Sequence, residues 1–194
     1  KLGKAAAQKD SAFSLEDRVG LVSDAFTLAQ AGYSKTSGGL ALMHALRGDN
    51  SSLVNTAAAL NLGKLASVWW EQPQSVRDGI NRFRADVFGP MARELTFEFG
   101  ANDSSELREL RETVITAAAS AGDTWTLDEI RRRFAPLQEH GDYSLIHPDL
   151  LRTVLSQAVK HGGEAEYETV MGVYRAPPTP AHKTSAMVAL GTTQ

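Results

Sequence analysis

Ser14-Leu15-Glu16-Asp17-Arg18-Val19-Gly20-Leu21-Val22-Ser23-Asp24-Ala25-Phe26 opens a helix and fixes its inward face in one reading. Ser14 stands at the N-cap and Asp17 at N3, the spacing of a capping box: the hydroxyl accepts the N3 amide and the carboxylate accepts the N-cap amide. Leu15, Val19, Val22, Phe26 and Ala29 follow at intervals of four and three, one apolar stripe of helical period. Gly32 ends the helix as a C-terminal glycine.

The same grammar continues outward. A second helix spans Thr36 to Leu46 and breaks at Gly48-Asp49-Asn50; Gly38 and Gly39 weaken it, each by about 1 kcal/mol relative to Ala. A third, rich in Ala and Leu, runs from Ser52 to Trp70 and is buried on several sides. Pro73 suits the first turn of a fourth, whose stripe is Val76, Ile80, Phe83, Val87, Met91 and Leu95. Arg77, Asp78, Arg84 and Asp86 fall elsewhere on that cylinder, and Pro90 should kink or divide it. Asn102-Asp103-Ser104-Ser105 caps a fifth helix, closed by Gly122-Asp123. Thr124 or Thr126 caps a sixth, with Leu127, Ile130, Phe134 and Leu137 inward. His147-Pro148-Asp149 starts a seventh, Gly162-Gly163 precedes an eighth with Tyr167, Val170, Met171 and Tyr174, and a short helix near His182–Leu190 comes last.

No stretch alternates in the manner of a strand. The expectation is therefore an all-α protein: an α-α superhelix of stacked antiparallel helix pairs, about nine helices in one domain over 1–194. Residues 1–13 form a poorly ordered or short lead-in. Each pair has an apolar face that only its neighbours can bury, the logic of HEAT- and armadillo-like solenoids. The unmatched last helix and a start at Lys1 without Met read as a chain cut at both ends. Such a cut leaves an apolar edge and makes self-association plausible.

Composition narrows the function. A net charge of −3 provides no basic field for nucleic acid. No apolar run approaches the ~20 residues of a membrane span. The absence of cysteine excludes disulfides, thiolate catalysis and Cys-based zinc sites; it permits a cytoplasmic location.

The five histidines form no H-E-x-x-H pair. His147 before Pro148 reads as a cap rather than a base, and His161 as an imidazolium at a helix C-terminus. Arg131-Arg132-Arg133, flanked by Asp128, Glu129 and Glu139, reads as a solvated helix face. Of Trp69-Trp70, at least one should be core. No catalytic, metal-binding or substrate-binding residue emerges. Arg18 and Asp24 lie on the polar side of the first helix, where they are either plain surface or contacts across a domain boundary.

The opening string, continued by Leu28-Ala29 and Ala31-Gly32, resembles the start of the C-terminal helical domain of zinc aminopeptidases, the group of aminopeptidase N and puromycin-sensitive aminopeptidase. Later blocks follow in order: Trp70 and Val76-Arg77, Phe88-Gly89-Pro90, Leu110-Arg111, Ala121-Gly122-Asp123, Ile130 to Phe134, Ile146-His147-Pro148-Asp149-Leu150, Lys160-His161-Gly162-Gly163, Glu166-Tyr167, and Ala189-Leu190-Gly191. Cytosolic and fungal members look most similar. The pattern departs at Val54-Asn55, where members often carry Trp, and at Gly38-Gly39.

The resemblance implies the N-terminal portion of that domain. The zinc, the H-E-x-x-H site and the grip on the substrate's amino group belong to an upstream catalytic domain, so this chain carries no cofactor and should be inactive alone. Its partners would be that catalytic domain and peptide substrates; its role would be to cap the active site and enclose the peptide chamber of a hydrolase. Arg18 and Asp24 are then the candidate interdomain contacts. The alternative is a free-standing HEAT-like adaptor for a protein or peptide. A helical nucleic-acid binder would need a continuous face joining Arg77, Arg84 and Arg131–Arg133, which the interspersed acids oppose.

Overall fold

A computed structural model describes residues 2–8 and 12–192. The described residues form ten α-helices, one 3-10 turn and no strand. They are α1 (Leu2–Ala6), α2 (Leu15–Gln30), α3 (Thr36–Leu46), α4 (Ser52–Val68), α5 (Gln74–Leu95), α6 (Ser105–Ser120), α7 (Thr124–His140), α8 (Leu151–His161), α9 (Glu164–Arg175) and α10 (Pro180–Leu190). The 3-10 turn, Pro148–Leu150, leads directly into α8.

The helix beyond the expected nine is α1, inside the segment read as a lead-in. It packs on α3, burying Ala6, and a Cβ on Gly3 would come within 3.1 Å of the Ala45 and Leu42 side chains. Residues 1 and 9–11 of that segment lie outside the described residues.

The helices stack in two layers. One runs α2, α4, α6, α8, α10, each packed on the next; the other holds α1 against α3, then α5, α7 and α9. α5 packs mainly on α6, α7 on α8, and α9 on α10, so each crossover locks consecutive pairs. A superhelix of this kind has one continuous core. Val114, Ile115, Ala118, Val154 and Leu155 are fully enclosed at its middle, where α6 meets α8. Each large aliphatic side chain so enclosed contributes about 1.5–3 kcal/mol.

Local chemistry sets the ends. The capping box on α2 forms as its spacing requires: Asp17 N donates to Ser14 Oγ at 3.1 Å, and Ser14 N donates to Asp17 Oδ2 at 2.9 Å. Gly32 takes φ +80°, the left-handed conformation that ends a helix at least cost in glycine. Pro90 does not divide α5. It lies on the exposed side of a continuous helix, where water can serve the carbonyl that its missing N–H abandons.

The cap of α7 differs from expectation. Asp123, read as the close of the preceding helix, is the N-cap; its Oδ2 accepts Thr126 N at 3.0 Å and Thr126 Oγ1 at 2.7 Å. Thr124 and Thr126 occupy N1 and N3. A carboxylate at the N-cap also opposes the positive end of the helix dipole, which a hydroxyl does less well.

The two departures from the family pattern have packing reasons. The Phe26 ring of α2 lies against Gly39, 3.3–3.4 Å from where a Cβ would stand, so glycine lets α2 and α3 approach. Asn55 is buried and uses its amide to donate to Asp49 O at 2.5 Å and Ser51 O at 2.9 Å, closing the α3–α4 turn.

Candidate functional site

Arg18 and Asp24 both project from α2 but serve different surroundings. Arg18 is partly buried and faces inward along the chain: its Nε donates to Asp49 Oδ2 at 2.8 Å and its Nη1 to Phe13 O at 3.3 Å. Asp49 Oδ1 meanwhile accepts Ser51 N at 3.0 Å. The guanidinium thus ties the start of α2 to the turn between α3 and α4. Asp24 is exposed, on the wall of a cleft of about 1270 Å³ formed by α1, α2, α3 and Phe83 of α5. The cleft is largely apolar, with Leu21, Leu28, Leu40 and Ala41 in its walls, and Asp24 is its only carboxylate among the described residues.

The basic run on α7 divides. Arg131 pairs with Asp128 at 2.5 Å and Arg132 with Glu129 at 3.0 Å, both on the exposed side. Arg133 is not solvated, contrary to the expectation for the run: it is 4% exposed, pairs with Glu98 at 2.6 Å and with Glu129, and lies over the Phe97 ring at 4.4 Å. Hydrogen bonds from Arg132 and then Arg133 hold Glu129 below the usual carboxylate range. A second stack of this kind sits beside it. Arg111 covers Phe99 at 4.6 Å and pairs with Asp103 at 2.7 Å, while the other side of the α5–α6 connection reaches the His147 ring, parallel to Phe99 at 3.7 Å.

His147 is the cap its position suggests: Nδ1 accepts Asp149 N at 3.2 Å. Burial lowers its pKa. His161 is the last residue of α8, the helix-end position expected for it. Burial, then the neighbouring cations Lys160 and Arg131, lower its pKa. Its ring lines a small cavity of about 200 Å³ between α7 and α8. His182 bonds to Thr179 Oγ1 at 2.8 Å and meets Tyr143 edge-on. Among the described residues, no three His, Asp or Glu side chains converge to hold a metal.

Neither member of Trp69-Trp70 is core. Trp69 is half-buried at the end of α4 and Trp70 is 65% exposed. The aromatic that packs inward is Trp125, against Phe97 at 6.0 Å and under Arg93 at 5.7 Å.

Sequence reading missed the burial of Arg84. It is 8% exposed, with Nη1 on Asn81 Oδ1 at 3.0 Å and Nε enclosed without an acceptor. The signal was present: Ile80, Arg84, Val87 and Met91 fall at spacings of four, three and four, on one face.

These features define an all-α superhelical domain whose charged groups serve mainly to pin its own turns. A family model for the ERAP1-like C-terminal domain matches residues 1–194, and the chain belongs to that family, the C-terminal domain of M1 aminopeptidases. It is 29% identical over 191 residues to Aminopeptidase 2 of Candida albicans, covering 98% of this chain and 20% of that protein. It is 30% identical over 179 residues to the alanine/arginine aminopeptidase of Saccharomyces cerevisiae, covering 92% and 21%. Similarity extends to Aminopeptidase M1 of Arabidopsis thaliana, 26% identical over 163 residues, covering 82% and 18%. The chain spans about a fifth of the length of these relatives.

Proposed function

We propose that this chain is the non-catalytic helical part of a zinc metallo-aminopeptidase that removes amino-terminal residues from peptides. It covers the active site and encloses the peptide chamber. The observation that carries the reading is the family match along residues 1–194, joined to relatives whose names are those of aminopeptidases. An α-superhelix suits that role, because a stacked array makes an extended curved wall without needing a chemistry of its own. Closure of such a wall excludes water and bulky folded chains and holds a peptide in place for attack.

In this reading zinc and the general base reside outside these residues. The location is cytoplasmic, and among the described residues no helix is long and apolar enough to cross a membrane. Asp24 and the apolar cleft beside it form the contact to the catalytic part, and Met187 and Val188, exposed on α10, support self-association.

The test is direct. Purified chain is incubated with alanyl- and arginyl-aminomethylcoumarin, with and without added zinc. No release of fluorophore is expected. Turnover that rises in proportion to the chain through successive purification steps overturns the proposal. The reading frame of the parent gene supplies a second check: an upstream H-E-x-x-H segment is expected, and a natural start and stop at these termini would favour the adaptor instead.

A further inference from the structure

One motif has no part in the stacking of the superhelix: Ala176-Pro177-Pro178-Thr179-Pro180, which connects α9 to α10. Of all the serines and threonines in the chain, Thr179 alone is followed by proline. It is exposed, as are Pro178, Pro180 and Ala181 around it. Its backbone is extended, at φ −144° and ψ 164°. The neighbouring rings account for that: Pro180 keeps the residue before it out of the helical region, and Pro178 holds its own φ at about −65°. The result is a short, preformed extended stretch that presents one hydroxyl at the surface.

A proline-directed serine/threonine kinase needs these features. It binds its substrate extended around the accepting hydroxyl, and its pocket for the next residue takes a proline, which brings no N–H that must be hydrogen-bonded. Binding a stretch that is already extended loses little chain entropy. We propose that Thr179 is a phosphorylation site for a kinase of this class, and that the phosphate fastens the connection between α9 and α10. In the transfer, a bond from Thr179 Oγ1 to the γ-phosphorus of ATP forms as the bond from that phosphorus to the departing ADP oxygen breaks. The hydroxyl proton passes to the catalytic aspartate of the kinase. This site does not depend on the aminopeptidase reading.

The surroundings of Thr179 suit the added charge. Residues 175–194 contain Arg175, His182 and Lys183 and no Asp or Glu. Thr179 Oγ1 lies 2.8 Å from His182 Nδ1 and accepts His182 N at 3.4 Å. Arg175 ends α9, and Lys183, in the first turn of α10, lies over the Tyr174 ring of α9 at 5.5 Å. A phosphate adds about −1.5 to −2 charge at pH 7 and three acceptor oxygens. Set among cations, it orders the segment that carries it through charge-assisted hydrogen bonds.

Labelling of the folded 194-residue chain with radiolabelled ATP and a proline-directed kinase of the mitogen-activated class tests it. One phosphate per chain is expected, mapped to Thr179 by mass spectrometry, at a rate comparable to that of a synthetic peptide covering residues 173–184. The label is lost in Thr179→Ala and kept in Thr179→Ser. It falls by about tenfold or more in Pro180→Ala, which keeps the hydroxyl and leaves a good helix former at the first helical position. The phosphorylated chain melts at a higher Tm than the unmodified one, and Lys183→Gln, a change at an exposed position, narrows the difference. A folded chain that takes no label while the peptide does, or a label that persists in Thr179→Ala or is undiminished in Pro180→Ala, overturns the site. A phosphorylated chain that melts no later than the unmodified one overturns the fastening.

Discussion

Arg18 Nε and Asp49 Oδ2 lie 2.8 Å apart across 31 positions of sequence, and this one bond joins the start of α2 to the turn that launches α4. Both side chains are mostly withdrawn from water, at 23% and 12% exposure, so the pair is screened less than a surface bridge. Arg18→Ala should destabilise the isolated chain by about 1–2 kcal/mol, the worth of a partly buried charge-assisted hydrogen bond. Asp24→Ala should leave stability unchanged. Urea unfolding of both variants checks the contrast; equal loss in the two would show that Arg18 is not committed to this turn.

Asp123 joins two devices in one carboxylate. Its Oδ2 caps α7 through Thr126, and its Oδ1 accepts Arg93 Nη2 at 2.9 Å. Asp123→Ala should cost about 1.5–2.5 kcal/mol, the cap contributing about 1 of this and the pairing with the half-exposed Arg93 the rest. Asp123→Asn keeps an oxygen for the cap and should recover at least the capping part. Chemical denaturation of the two variants measures the division.

Gly38 and Gly39 are adjacent in sequence and opposite in consequence. A Cβ on Gly38 meets nothing, while one on Gly39 meets the Phe26 ring at 3.3 Å. Gly38→Ala should stabilise the chain by about 0.5 kcal/mol, through lower chain entropy in the unfolded state. Gly39→Ala gains the same backbone term but must displace the ring, and should be neutral or destabilising. A pair of thermal melts distinguishes them, and a stabilised Gly39→Ala would contradict the close approach of α2 and α3.

His147 makes stability sensitive to mild acid. Its pKa is held below the ordinary 6.5, first by burial. The unfolded chain therefore binds the proton more readily than the folded one. Stability is fully present above pH 6.5 and declines as the pH falls through that value toward the folded-state pKa. Glu129, depressed from 4.5 by Arg132 and Arg133, extends the decline to lower pH: its contribution is present above 4.5 and lost as the pH falls through its folded value. Melting temperatures between about pH 7.5 and 5.5 should fall, and His147→Gln should flatten that fall. A parent curve that rises on acidification would refute the assignment.

The amino-acid order by itself determined where the helices are and which residues point inward on most of them. The start of α2 at Ser14, the bounds of α3 at Thr36 and Leu46 and the stripe of α7 all follow from contacts within four residues of one another. Capping, dipole and period are short-range effects and are written locally. The family was legible for a related reason, since the resemblance is read from short blocks along the chain, and the family model matches residues 1–194.

Only the tertiary structure decided which charges are inside. Arg131, Arg132 and Arg133 are identical letters in a row, yet the first two meet solvent and the third is enclosed between Glu98, Glu129 and Phe97. Arg84 shares its helix with the exposed Arg77 and is buried, and Trp70 follows the apolar α4 and is exposed. What a charge gains or costs depends on how far water is excluded around it, and that depends on where distant helices cross. The same distance in sequence hid the partner of Arg18, because Asp49 is brought to it by the packing of α2 on α3 and α4 rather than by any local pattern.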